Sequence, residues 1–354
     1  MDPLTQGALG AAFPQAMAQR RQVVSAGLLG FLSGMAPDLD VLIRSSEDPL
    51  LFLEYHRQFT HSLFFVPVGG LICALLLHGL IGRRGGLLPW QTYLFCVLGY
   101  ATHGLLDACT TYGTLLLWPF SDQRFAWNTI SIIDPLFTLP VLALVVWAGL
   151  RRRPALARAA LVWALVYQGL GVWQREQAEL HGWALARDRG HEPLRLEAKP
   201  SFANILVWKI VYETDTHFHV DAVRTWPSVV DYPGGSIPRL DVARDFPWLQ
   251  GASQQRLDIE RFRWFSNGYV ALDPAVPGRI IDVRYSMLPN EINSLWSIQL
   301  RPQAGPDDHV SYAMHRSGGR EQAGVLWRML RGERVPGSTP SRSASGVEYG
   351  VGGD

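Results

Sequence analysis

Almost every long apolar run in this 354-residue chain lies in its first half. Four segments, 63 to 81, 92 to 117, 132 to 150 and 155 to 173, approach the roughly 20 apolar residues that a bilayer crossing demands. Backbone in lipid must satisfy its own hydrogen bonds, so such segments are helical. The sequence therefore predicts an α-helical, multi-span membrane domain over residues 1–175. A shorter run, VVSAGLLGFLSGM at 23 to 35, is too short to cross and ends in APDLD, which directs it to a polar cavity. The opening residues MDPLTQGALGAAFPQ have neither a basic leader nor a small-residue cleavage site, so the N-terminus is expected to be retained.

Arginines orient the domain. The connections QRRQ, GRRGG and RRRP hold seven (Arg20, Arg21, Arg83, Arg84, Arg151, Arg152 and Arg153), and those between them hold three (Arg44, Arg57 and Arg124). Positive charge stays on the cytoplasmic side, which puts 36–61 and 118–131 outside. In a bacterium this predicts a multi-pass inner-membrane protein whose C-terminal half is periplasmic. The same topology gathers Asp38, Asp40, His56, Arg57, His61, His103, Asp107 and Asp134 near one membrane face.

Ionisable residues at membrane depth are costly and usually functional. In HGLLD, His103 and Asp107 stand four apart and share one helix face, where both can bind one ion. DLD and HRQFTH add Asp38, Asp40, His56 and His61. This oxygen and nitrogen set suits zinc above all, and also manganese or iron, with one or two ions. An ion there would acidify a water and polarise a phosphoryl or carbonyl oxygen. The expected chemistry is hydrolytic, with Asp107, His61 and Arg57 as its active residues. Arg57 has two readings, a fork for substrate phosphate or a salt bridge to Asp38, Asp40 or Glu54. Asp134, before Pro135, either caps a helix or supports the ligands.

Other features carry less. A net charge of +1 offers no electrostatic surface for nucleic acid. Cys73, Cys96 and Cys109 match no zinc motif or disulfide framework and read as apolar filler. His78 reads as an interface residue, and His217 and His219 of HFH as a surface pair.

The pieces MDPLTQGALG, GMAPDLD, HRQFTHS, GYATHGLLDACTTYG and IIDPLF, in this order, resemble the YdjM-like family of bacterial inner-membrane, metal-dependent hydrolases. The resemblance covers roughly residues 1 to 175. That family is distantly similar to zinc-dependent phospholipase C and the zinc-dependent single-strand nucleases, which implies a helical core with Asp40, His56, His103 and Asp107 as metal ligands. Many relatives carry His where this chain has Gln6, so Gln6 is expected to support the ligands, and one metal position is expected to be weaker or lost.

Beyond a linker at 176–199, the alternating stretches ILVWKIVYET, THFHVDAVR, RIIDVRYSM and SLWSIQLR predict antiparallel strands. SQQRLDIERFRWFSNGY predicts one helix among them. Residues 200–334 are thus expected to form a small β-rich α+β extracytoplasmic domain that roofs the site, selects substrate or binds a partner. The Ser, Gly and Pro-rich tail, 335–354, is expected to be disordered. The leading functional expectation is a membrane-bound, metal-dependent phosphoester hydrolase whose substrate is lipid or lipid-linked. A proton or cation pathway in a transporter and a non-catalytic scaffold are the competing classes.

Overall fold

The computed structural model describes residues 1–249, 251, 253–315 and 319–335. The predicted tail, apart from Val335, lies outside the described residues.

Seven helices build the N-terminal part: α1 (Pro3–Met17), α2 (Val23–Met35), α3 (Leu51–Tyr55), α4 (Val66–Leu77), α5 (Pro89–Ala108), α6 (Pro135–Arg151) and α7 (Pro154–Asp188). Local chemistry starts them. Asp2 accepts from Thr5 N at 3.0 Å, Asp134 accepts from Phe137 N at 3.3 Å, and proline stands in the first turn of α1, α5, α6 and α7.

Helices α1, α2 and α5 cross on glycines. A Cβ on Gly30 would overlap the Gly10 carbonyl, and one on Gly99 would lie 2.6 Å from Gly30 Cα. Only hydrogen allows backbones this close, as is usual where helices pack inside a membrane. Outward-facing residues such as Leu75, Leu76, Leu139, Leu150, Val162 and Leu165 leave an exposed apolar surface on the helical part.

Of the four predicted spans, α7 alone is long and apolar enough to cross a membrane by itself among the described residues. Segment 63–81 becomes the 12-residue α4, bent by 84° from the preceding helical segment, and only that pair together is long enough. Segment 92–117 stops at Ala108, where Thr110 and Thr111 begin a turn, and α6 is a shorter apolar helix.

The expected linker is corrected. Helix α7 continues through Asp188 because no proline or left-handed residue interrupts it before Gly190 (φ 71°). At about 1.5 Å per residue its 35 residues extend roughly 50 Å, well beyond a hydrocarbon core of about 30 Å. Its polar second half packs on the first sheet, where Gly182 meets Ile210 and Leu196.

That sheet has four antiparallel strands in sequence order, β1 (Arg195–Pro200), β2 (Val207–Glu213), β3 (His217–Arg224) and β4 (Val230–Pro238). After a short turn, α8 (Val242–Asp245), the predicted helix forms as α9 (Gln254–Phe265), capped by Ser253. A second antiparallel sheet follows, β5 (Val270–Leu272), β6 (Arg279–Asp282), β7 (Trp296–Gln299) and β8 (Ser311–Met314), and then α10 (Gly319–Leu330). The second sheet shares a core with the helical part, since Leu50 and Leu53 cluster with Phe262 of α9 and with Val270, Ile280 and Ile298 of the sheet. Arg261 of α9 grips Asp48 (2.7 Å), Glu54 and Asp258 (2.9 Å). The β-rich part therefore packs on the segment 48–54, which includes most of α3.

A pH-sensitive residue lies within the first sheet. Lys199 stands opposite Lys209 across β1 and β2, and both are buried. Lys209 donates to Ser286 Oγ (2.8 Å) and the Glu291 carbonyl (2.7 Å). Burial, only partly offset by Asp282 and Glu291, pulls Lys209 down to about 7. An unfolded lysine holds its proton to roughly pH 10.4, so between these values the unfolded chain binds more protons and stability rises with pH. The stability of the wild type relative to Lys209→Met, from denaturant titration of the full chain followed by tryptophan fluorescence, should grow from pH 7.5 to 9.5 by up to roughly 1.4 kcal/mol per pH unit. A flat difference would mean that Lys209 is charged in the fold.

Candidate metal centre

Three short segments deliver the polar groups. The 3₁₀ turn Ala36–Leu42 follows α2 and carries Asp38 and Asp40, the 3₁₀ turn Phe59–His61 precedes α4, and the last turns of α5 carry His103 and Asp107. Asp38, His61, His103 and Asp107 bring one ligand atom each to a common point, and Asp38, Asp40 and His56 form an adjoining group that shares Asp38.

The first group has the dimensions of a coordination shell. His61 Nε2 lies 3.5 Å from Asp38 Oδ1 and 3.2 Å from Asp107 Oδ2, and His103 Nε2 lies 3.3 Å and 3.5 Å from the same atoms. The two ring nitrogens are 2.9 Å apart. A tetrahedral ion with bonds of about 2.0–2.1 Å holds its ligands about 3.3–3.4 Å from one another. Asp107 Oδ2 is also a buried carboxylate oxygen without a hydrogen bond, and two imidazole nitrogens face each other beside it. A cation answers all of these atoms at once, so the residues present fit a divalent metal.

Neighbours fix each ligand. His103 Nδ1 donates to the Gly34 carbonyl at 2.6 Å, so the proton sits on Nδ1 and the unprotonated Nε2 faces the centre. His61 Nδ1 lies 3.0 Å from Thr60 Oγ1 and 3.3 Å from Asp40 Oδ2. Asp40 itself accepts from Thr60 (2.8 Å) and Arg57 N (3.0 Å) and pairs with His56 Nδ1 at 2.7 Å. Gln6 Nε2 donates to Asp107 Oδ1 at 2.9 Å. Burial alone would raise the carboxyls of Asp38 and Asp40. Hydrogen bonding to His103 and His61 holds Asp38, and to His56 and His61 holds Asp40, well below the ordinary carboxylate range. Both stay anionic at neutral pH.

Exposure identifies the open edge. The side chains of Asp38 and His56 keep 20% and 19% of their surface, while those of Asp40, His61, His103 and Asp107 keep none. Solvent therefore reaches the group past Asp38 and His56.

Arg57 and Asp134 each carry two readings. The Arg57 guanidinium forms a salt bridge, but to Asp107 rather than to Asp38, Asp40 or Glu54. Its Nε pairs with Asp107 Oδ2 at 3.1 Å, its Nη1 donates to Thr110 Oγ1 at 2.9 Å, and its guanidinium lies 4.7 Å from the Tyr112 ring. Its left-handed backbone (φ 65°) costs of order 1–3 kcal/mol and aims its amide at Asp40 and its side chain at Asp107. Asp134 caps α6 and accepts from Tyr167 Oη at 2.8 Å, outside both ligand groups. Among the rest, His78 bonds Thr92 (2.8 Å), and His219 stacks on Tyr212 rather than standing free on the surface. Sequence reasoning missed Thr60, Thr110 and the Gly34 carbonyl, although Thr60 stands inside HRQFTHS itself.

The helical part thus encloses a group of possible metal ligands and carries an exposed apolar surface. Residues 1–178 match the YdjM inner membrane protein family, and the chain belongs to that family. It is 38% identical over 110 residues to the inner membrane protein YbcI of Escherichia coli (strain K12), a match covering 29% of this chain. The chain spans 60% of the length of that relative. No solved structure matches the chain.

Proposed function

We propose that this protein is a metal-dependent hydrolase of the inner membrane, acting on a phosphoester of a lipid or lipid-linked molecule at the extracytoplasmic face. The observation that carries this reading is the near-tetrahedral set of Asp38, His61, His103 and Asp107. Zinc suits it best, and Asp38, Asp40 and His56 would hold a second ion beside the first. When bound, the ion supplies Lewis acidity toward a phosphoryl oxygen and lowers the pKa of water.

The chain's own residues do the rest. Gly34, Thr60 and Asp40 fix the two imidazole rings, and Gln6 and Arg57 hold Asp107 in place. Arg57 is a positioning residue here, because its fork is spent on Asp107 and Thr110. Multiple membrane crossings, with the β-rich part outside, belong to the same proposal; a reporter fused after residue 188 that signals from the cytoplasm would overturn that topology.

The test is elemental analysis of protein purified in detergent without chelators, together with hydrolysis of bis(p-nitrophenyl) phosphate. Wild type should carry about one or two equivalents of metal and His103→Ala less than about a tenth of that, since a ligand is lost outright. Turnover should fall in parallel. Metal-free wild type would shift weight to the cation-pathway or scaffold readings.

A further inference from the structure

Beside the metal centre, the ring of Tyr112 is approached by two guanidinium groups, Arg57 at 4.7 Å and Arg124 at 5.6 Å, and by the ring of His56 at 5.6 Å. The β-rich part closes this neighbourhood. Phe265 lies 5.1 Å from Tyr112, and Trp264 and Phe265 lie 5.0 Å and 5.5 Å from the Arg124 guanidinium. A third arginine, Arg284, is also 5.5 Å from Phe265.

These three cations are not equally provided for. Arg57 has Asp107, and Arg284 has Asp282, through Nε at 3.0 Å and Nη2 at 2.7 Å. Arg124 donates from Nη2 to the Gly113 carbonyl at 3.2 Å, but its Nε and Nη1 are buried without a partner among the described residues. The hydroxyl of Tyr285, a residue only 8% exposed, is likewise buried and unpartnered, and its ring joins the same cluster through Trp296, 4.4 Å from Tyr285 and 6.3 Å from Tyr112. Native folds rarely leave such donors unanswered without a functional reason.

The backbone is built to hold Arg124 there. Thr114 and Phe125 exchange hydrogen bonds at 3.0 Å and 2.9 Å, which pins the loop on either side. Gly113 has φ +89°, and a Cβ on it would press Arg124 Cβ and Nε at 3.3 Å.

We infer that Arg124, with the Tyr285 hydroxyl, forms an anion site that receives a phosphoryl group beside the metal centre. The two free donors stand on different edges of the guanidinium, so each offers one charge-assisted hydrogen bond to a phosphate oxygen. The reaction this serves rests on the hydrolase reading; the binding itself does not. The β-rich part thereby contributes directly to substrate recognition through Tyr285, Trp264 and Phe265.

Inorganic phosphate binding to the full-length protein in detergent, measured by calorimetry, tests the inference. Arg124→Gln should weaken binding by about 10-fold or more through loss of the charged donors, and Arg124→Lys by less, with metal content equal to wild type in both. Tyr285→Phe should weaken it by about 3-fold through one lost hydrogen bond. Phosphate affinity within 2-fold of wild type in folded Arg124→Gln, or no binding to wild type, overturns the site.

Repeating the titration on His103→Ala separates the two proposals. Arg124-dependent binding to a metal-free protein keeps the anion site while the metal reading falls, and Arg124-independent binding to a metal-loaded protein does the reverse. Competition with dihexanoyl phosphatidic acid names the source. Displacement of phosphate at much lower concentration supports a lipid headgroup, equal potency supports a free phosphate, and both require Arg124.

Discussion

Asp107→Ala is expected to strip the metal from the protein and to destabilise the helical part by about 3–5 kcal/mol, the cost of leaving a buried charge without its partner. Asp107 is fully buried, and Oδ2 serves Arg57, His61 and His103 at 3.1, 3.2 and 3.5 Å while Oδ1 accepts from Gln6. The amino nitrogen of Met1 reaches Oδ1 as well. Removing the carboxylate takes away a ligand and strands the Arg57 guanidinium, which is buried with it.

The double variant Asp107→Ala/Arg57→Met separates these effects. Stability, read as thermal unfolding in detergent, should be largely restored, because neither charge is then orphaned. Metal should not return. Full metal occupancy in Asp107→Ala would remove Asp107 from the centre, and equal stability of the single and double variants would remove Arg57 as its partner.

The second large effect is expected at a residue that touches no ligand. Gly30→Ala should cost at least about 3 kcal/mol, at or beyond the usual range for overpacking, because the new methyl would overlap the Gly10 carbonyl and Pro14. Backbone cannot yield as a side-chain tip can, so α1 and α2 must separate. Metal should be lost as well, since Gly34, one turn along α2, holds His103 through its carbonyl. Gly79→Ala is the control, with nothing within 4 Å of the added carbon. Monodisperse, metal-loaded Gly30→Ala protein would refute this packing argument.

Both predictions concern residues that the sequence announces in different ways. His103 and Asp107 are legible because the i, i+4 spacing on a helix places them together whatever surrounds them. The strands and α9 are legible for a similar reason: period-two alternation and a Ser-capped helical pattern are local signals. Gly30 was visible only as one of several glycines in an apolar run, and its importance lies in what crosses it.

Arg57 and Arg124 mark the limit of sequence reading. Each is an arginine in a polar connection, and nothing in its immediate neighbours says which is paired. Long-range contacts decide, since Arg57 meets Asp107, 50 positions away, whereas no carboxylate reaches Arg124 among the described residues. The linker expected at 176–199 failed for a complementary reason. Helix α7 runs through most of that segment and β1 begins within it, and α7 packs on the sheet.

The sequence by itself determined a helical first half, an antiparallel β-rich second half and the identity of six candidate ligands, because periodicity, propensity and residue chemistry are local properties. Only the tertiary structure decided which four of those ligands share one ion-sized space, which edge is open, and which arginine is left free beside it. Those outcomes depend on distances between segments far apart in the chain, which no local pattern encodes.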